Sequence, residues 1–163
     1  MPATREDLFA LLDDLGAAHE TREHEAAFTV EDARRLRGLI PGGHTKNLFL
    51  KDKKGRLWLV VAGEETNVNL KQLHGRIGSA RLSFGRAELM EEVLGVTPGS
   101  VTPFALMNDR GGRVTVVLDE EMMRHDRLNF HPLENTATTT ISREDFLKFL
   151  SATGHEPQII DVT

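Results

Sequence analysis

The chain of 163 residues contains no cysteine, which removes disulfides, a thiolate nucleophile and cysteine-based zinc sites together. Long apolar runs are missing too. No stretch approaches the roughly 18 consecutive apolar residues of a membrane span, and the acidic start "MPATREDL" has neither the charged nor the apolar region of a signal peptide. A soluble cytoplasmic protein without membrane contact is the expectation. Neither a Gly-x-Ser-x-Gly elbow nor a Walker loop occurs, so an enzyme built on this chain works without a conventional covalent nucleophile. The seven histidines fall into no metal-ligand motif, and no metal or other cofactor is expected.

What is present fits one globular domain, residues 1–163: 39% apolar, 28% charged, 14 Gly and 6 Pro. The net charge of −5 hides an asymmetry, because Arg34 through Arg86 carries 12 Lys/Arg against 3 acids while the rest carries 8 against 22. A basic third on an acidic body can track a phosphate backbone without adhering to every polyanion; solvated charge on surface helices and turns is the plainer reading.

Along the chain, Thr4 and Asp7 open a helix through Leu8, Leu11, Leu12 and Leu15, which Gly16 ends. A short extended piece at 18–24 precedes a second helix capped by Thr29, with Arg34, Arg35 and Arg37 on it. Residues 45–51 and 56–62 read as a hairpin across "DKKG", with "LWLVVA" as a central strand. A short helix capped by Asn67 or Asn69, a strand at "ARLSF" and a helix at "RAELMEEVLG" ending on Gly95 follow. The loop "VTPGSVTP" excludes helix; "FALMND" and "RVTVVLD" joined by "RGG" predict a second hairpin. "LNFHPLENTATTTI" reads as extended, Ser142 with Asp145 caps a last helix, and "PQIID" is a short extended tail. The alternation describes an α+β fold.

Three places could carry chemistry. Lys46 in "HTKNLFLKDKKG" alternates with Leu48 and Leu50, opposite Asn47 and Phe49, so it either meets an anion in a partly enclosed space or snorkels to water. The stiff segment from Gly99 through Ser100, Val101 and Thr102 to Pro103 could aim amides at a phosphate, a carboxylate or an oxyanion, or be a turn only. His131, held extended by Pro132, is the third.

Read in order, "HTKNLFLKDKKG", "ELMEEVLGVTPGSVTP" and "NFHPLENTATTTIS" resemble the YbaK-like family of aminoacyl-tRNA deacylases, which is related to the editing insertion of bacterial prolyl-tRNA synthetase. The likeness runs from "FTVEDA" to "GHEP", and within the family these segments are most similar to free-standing Ala-tRNA(Pro) deacylases, the ProX or PrdX proteins. The resemblance implies a mixed sheet flanked by helices and hydrolysis of alanine wrongly attached to proline tRNA. It implies that Lys46 and Asn47 bind the tRNA 3′ end near the scissile ester. It further implies that Gly99, Ser100, Val101 and Pro103 shape the amino-acid pocket and that His131 lines it. Charge adds Arg34, Arg35, Arg37, Lys51, Lys53 and Lys54 as contacts to the acceptor stem. The implied partner is the acceptor end of proline tRNA, with prolyl-tRNA synthetase or the elongation machinery as candidate protein partners and a monomer as the default state. Removal of cysteine from the same tRNA, and a non-catalytic tRNA-binding or synthetase-associated module, are the competing readings.

Overall fold

Thr4 begins the first helix by accepting from the Asp7 amide while the Asp7 carboxylate accepts from the Thr4 amide, a reciprocal cap on α1 (Arg5–Asp14) that turns Leu8 and Leu12 inward. The computed structural model describes residues 2–25, 35, 38 and 40–163. The helix expected from Thr29 lies outside them apart from Arg35 and Gly38, and Arg34 and Arg37 lie outside altogether.

After β1 (His19–Glu23) come β2 (Gly43–Asp52) and β3 (Leu57–Gly63), paired antiparallel as the sequence predicts. Gly55 supplies the positive φ of +83° in their turn. Asp52 braces the same turn, accepting from the amides of Lys54 and Arg56, each at 3.0 Å. Burial pushes its carboxyl up, but the amides of Arg56, Ala80 and Lys54 outweigh that and hold it below the ordinary aspartate value. Helix α2 (Leu70–Ile77) is capped by Asn69, β4 (Leu82–Phe84) pairs with the end of β2, and α3 (Ala87–Leu94) stops at Gly95.

Two expectations fail in the next stretch. Pro98–Ser100 forms a 3₁₀ turn inside the loop where helix was excluded, with Pro98 where its missing N–H costs nothing. "FALMND" is no strand: Thr102 caps a 3₁₀ helix over Pro103–Asn108 whose Phe104, Ala105 and Leu106 are buried together, an arrangement an alternating strand cannot give. Strand β5 (Val114–Asp119) therefore has no hairpin partner before it. It lies parallel to β3 and to the tail strand β8 (Gln158–Ile160). The stretch expected to be extended throughout is likewise divided, into β6 (Arg127–Phe130) and β7 (Ala137–Ser142), by a turn in which Leu133 takes φ +69°. Helix α4 (Arg143–Ala152) follows, with Ser142 accepting from the Asp145 amide.

The strands form one mixed sheet of eight in the order β1-β7-β6-β2-β3-β5-β8, with β4 also on β2. A large core on one face gathers Phe49, Leu59, Val61, Val116 and Leu118 with the helices; a smaller one on the other holds Leu50, Trp58, Val60, Ala62, Leu73 and Ile77. The α+β architecture with a mixed sheet is thus as expected. No helix among the described residues is long and apolar enough to cross a membrane.

In the larger core the fully buried Phe104 meets Phe130 and Phe149 edge-on, with ring centroids 5.5 and 5.2 Å away. Phe104→Ala is expected to lose about 3–5 kcal/mol of stability. Chemical denaturation checks this, and a loss under about 1 kcal/mol would contradict the packing described.

Candidate functional site

Strands β2 and β6 run parallel through only two Cα pairs, Gly43 with Leu128 and His44 with Asn129. The seam is reinforced from both sides. Thr45 Oγ1 donates to the Asn129 carbonyl at 2.7 Å, and Asn129 Nδ2 donates to the carbonyls of Pro41 and Gly43 at 3.1 and 3.2 Å. Gly43 has no room for a side chain, since a Cβ would lie 2.8 Å from the His125 ring.

Register and alternation then place the residues beyond the seam. Lys46 sits two positions past His44, opposite Ala62 of the smaller core, so it leaves β2 on the same face as Leu48 and Leu50. His131 sits two positions past Asn129, which pairs with His44. Lys46 and His131 therefore both lie two positions beyond the same end of the seam. Asn47, opposite Val61, faces the larger core, and its Oδ1 is buried without a hydrogen-bond partner. That oxygen is a costly group to leave unsatisfied. Lys46 forms no ion pair among the described residues.

His131 Nδ1 lies 3.1 Å from the Ala137 carbonyl. A carbonyl only accepts, so Nδ1 carries the proton and Nε2 of the neutral ring is left as an acceptor. Burial holds the imidazole below the ordinary histidine value, the Ala137 bond works against that, and the neighbouring His24 adds to the lowering. His24 is fixed in turn, its ring 6.5 Å from that of His131, with Nδ1 on the Glu25 carbonyl and Nε2 2.7 Å from Thr138 Oγ1.

The 3₁₀ turn at Pro98–Ser100 comes to this place from the other side. A Cβ on Gly99 would sit 3.4 Å from Asn135 Nδ2, so the loop meets the turn that follows His131. Val101 packs on the larger core and Pro103 is buried, which leaves Gly99 exposed and Ser100 half-buried. One of the loop amides is engaged within the loop: the Ser100 N–H donates to the Thr97 carbonyl at 2.9 Å and closes the 3₁₀ turn. The Gly99 N–H takes no part in that bond.

Lys46 and His131 thus lie beyond the same end of the seam, Asn47 turns to the opposite face of β2 from Lys46, and the Gly99 loop meets the turn after His131. The lysines read as acceptor-stem contacts are exposed, but Lys51 stands five residues along β2, about 17 Å away at strand rise, and Lys53 and Lys54 lie beyond it in the turn. Arg35 is exposed. Asn135 and the half-buried Arg5, which pairs with Glu23 and through Nε with Glu134 at 2.8 Å, were not singled out by sequence. The positive φ of Leu133 next to Glu134 is the feature that would have marked this turn, and no sequence pattern announces it. A second cleft of about 540 Å³ opens on the other side of the seam beside His44, His125, Glu64, Glu65 and Glu121, and its acids suit no phosphate. No three His, Asp or Glu side chains among the described residues are placed to hold a metal.

Comparison with known proteins gives the family and the fold. The aminoacyl-tRNA editing domain family matches residues 24–149. The prolyl-tRNA synthetase associated domain-containing protein 1 of Xenopus laevis is 41% identical over 161 residues, covering 96% of this chain and 95% of that protein. The prolyl-tRNA editing protein ProX of Acetoanaerobium sticklandii is 34% identical over 159 residues, 97% of each. Among solved structures, the hypothetical protein APE2540 shares the fold with a TM-score of 0.75 at 18% identity, over 95% of this chain and 97% of that one.

The lowered pKa of His131 has a sign that can be read in solution. Unfolded, the ring binds a proton near pH 6.5; folded, it resists until lower pH, so this group's contribution is intact above that value and is lost as pH falls through the folded pKa. Denaturation midpoints from pH 8 to pH 5 should therefore decline less in His131→Gln than in the wild type. Equal declines would contradict a neutral, desolvated His131.

Proposed function

Because the chain belongs to the aminoacyl-tRNA editing domain family, we propose that it is a trans-acting hydrolase that removes alanine wrongly attached to proline tRNA. The observation that supports this reading is that the strands carrying Lys46 and His131 leave the β2–β6 seam at the same end, with the Gly99 turn against the turn that follows His131. The name and near full-length likeness of ProX support the choice of tRNA.

The chemistry asks little of the protein. An aminoacyl ester is activated, so a positioned water can add to its carbonyl carbon; the C–O bond to the ribose then breaks, the terminal hydroxyl takes the proton, and free alanine leaves. Lys46 meets the negative charge of the terminal nucleotide, and the Gly99 amide is the donor for the developing oxyanion. Neutral His131 offers Nε2 to the attacking water or the substrate's amino group, and the neighbouring ribose hydroxyl assists. No triad is required.

Size supplies the selectivity. A synthetase pocket made for proline discriminates against the smaller alanine by only about 1–3 kcal/mol per missing methylene. A second pocket bounded by Val101, Pro103 and the turn after His131 admits a methyl group and shuts out a pyrrolidine ring. The acceptor end of proline tRNA is the proposed partner, with prolyl-tRNA synthetase as the protein that delivers it, and the proposed setting is the cytoplasm with the protein acting as a monomer.

Lys46→Ala should cut hydrolysis of alanyl-tRNA(Pro) at least tenfold with an unchanged thermal midpoint; a folded variant at the wild-type rate would sink the assignment. The rate constant at sub-saturating tRNA should also fall linearly on a log scale with salt. A flat response would remove phosphate contacts from the account.

A further inference from the structure

Phe84 is 64% exposed, the most exposed large apolar side chain among the described residues. It lies on a strand rather than a loop. Its Cα pairs with Leu50, and Leu82, two positions back, packs on the smaller core, so Phe84 stands on the same face of the sheet as Leu50, Leu48 and Lys46. The strand is held hard in place: the Gly85 N–H donates to the Phe49 carbonyl at 2.9 Å, and a Cβ on Gly85 would lie 2.5 Å from the Phe49 ring. A rigid aromatic surface is thus presented to solvent with little entropy left to lose on binding.

Its surroundings decide what it fits. Lys53, Lys54, Arg56 and Arg81 are exposed at the end of this strand pair and its turn, with Lys51 and Arg86 exposed on the opposite face, and none forms a salt bridge among the described residues; Arg56 lies over the Trp58 ring, 4.7 Å from its centroid. The acid in their midst, Asp52, is buried and its carboxylate is engaged by the amides of Lys54, Arg56 and Ala80. Two exposed acids, Glu88 and Glu92, share a cleft with Lys51 and Arg86 on the side of α3, away from Phe84. A protein partner would call for a contiguous apolar patch. A lone ring with cations at the adjacent turn is what an unpaired nucleotide chain needs, a surface on which to stack a base and charge to neutralise its phosphates.

Distance sets which nucleotides. Four residues of strand from Lys46 to Leu50 and one step across to Phe84 amount to about 14 Å, no more than about four nucleotides at stacked spacing. The geometry points to Phe84 as a stacking platform for a base of the single-stranded 3′ end of tRNA, a few nucleotides before the terminal one held at Lys46. This rests on the editing function proposed above and adds to it a grip on the strand that carries the ester.

Binding of uncharged tRNA(Pro), and of the same tRNA trimmed of its single-stranded 3′ end, should be measured for wild type, Phe84→Ala, Phe84→Leu and Phe84→Trp, with alanyl-ester hydrolysis alongside. Phe84→Ala and Phe84→Leu should weaken binding of intact tRNA by about fivefold or more, the floor set by base stacking on an aromatic ring. Phe84→Trp should retain it, and all four should bind the trimmed tRNA alike. Wild-type affinity in Phe84→Ala, full affinity in Phe84→Leu, or an equal loss on trimmed tRNA would overturn the platform while leaving the editing function standing. A wild type that neither binds the tRNA nor cleaves the ester would overturn the editing function, and this inference with it.

Discussion

Two backbone pairs between β2 and β6 join the two halves of the sheet, and the candidate site depends on them. Parallel strands gain slightly less per residue than antiparallel ones, and here the contact is short. Asn129 and Thr45 make up the difference by fastening side chains across it. Because the strands are parallel, both chains leave the seam in the same direction, so a lysine on one and a histidine on the other arrive together. An antiparallel join would have sent them to opposite ends of the sheet.

The arrangement beyond the seam is polar and incompletely hydrogen-bonded. Asn47 keeps a buried oxygen without a partner, His131 is held neutral with one nitrogen fixed on a carbonyl, and Leu133 accepts a left-handed backbone that costs of order 1 kcal/mol or more. Other buried polar groups are well satisfied: Asp119 accepts from the Gly63 amide, the Thr66 hydroxyl and the Glu121 amide, and Asp109 takes the His155 ring and the Val114 amide. Asn47 Oδ1 is not unique in lacking a partner, since the buried Trp58 Nε1 and Arg22 Nη1 lack one too; what sets it apart is its place next to Lys46 at the end of the seam.

Much of this was legible in the chain itself, and what was not has common causes. Local signals worked: the Thr4–Asp7 and Ser142–Asp145 caps, Gly55 in the hairpin turn and Gly95 after α3 all stand where short-range chemistry puts them. Non-local ones did not. "FALMND" was read as a strand because a short apolar run beside a glycine turn fits strand and helical turn equally, and only the shared burial of Phe104, Ala105 and Leu106 separates them. The mixed character of the sheet came from the family resemblance, since parallel pairing leaves no mark on neighbouring residues. Lys46, Asn47, Gly99 and His131 were named from motifs, whereas Asn135 and Phe84 depend on what faces them across the fold. The basic block was visible as charge, but its order in space, with Lys51 to Lys54 far along the hairpin from Lys46, was not.

In the proposed function a pocket near the seam sorts esters by the size of the amino acid rather than by recognising tRNA alone. Single-turnover hydrolysis by the wild-type protein of proline tRNA charged separately with alanine, cysteine and proline tests it most directly. The account predicts rapid release of alanine and none of proline beyond the spontaneous rate. Preferential release of cysteine, comparable release of proline, or tight tRNA binding without release of any of the three would contradict it.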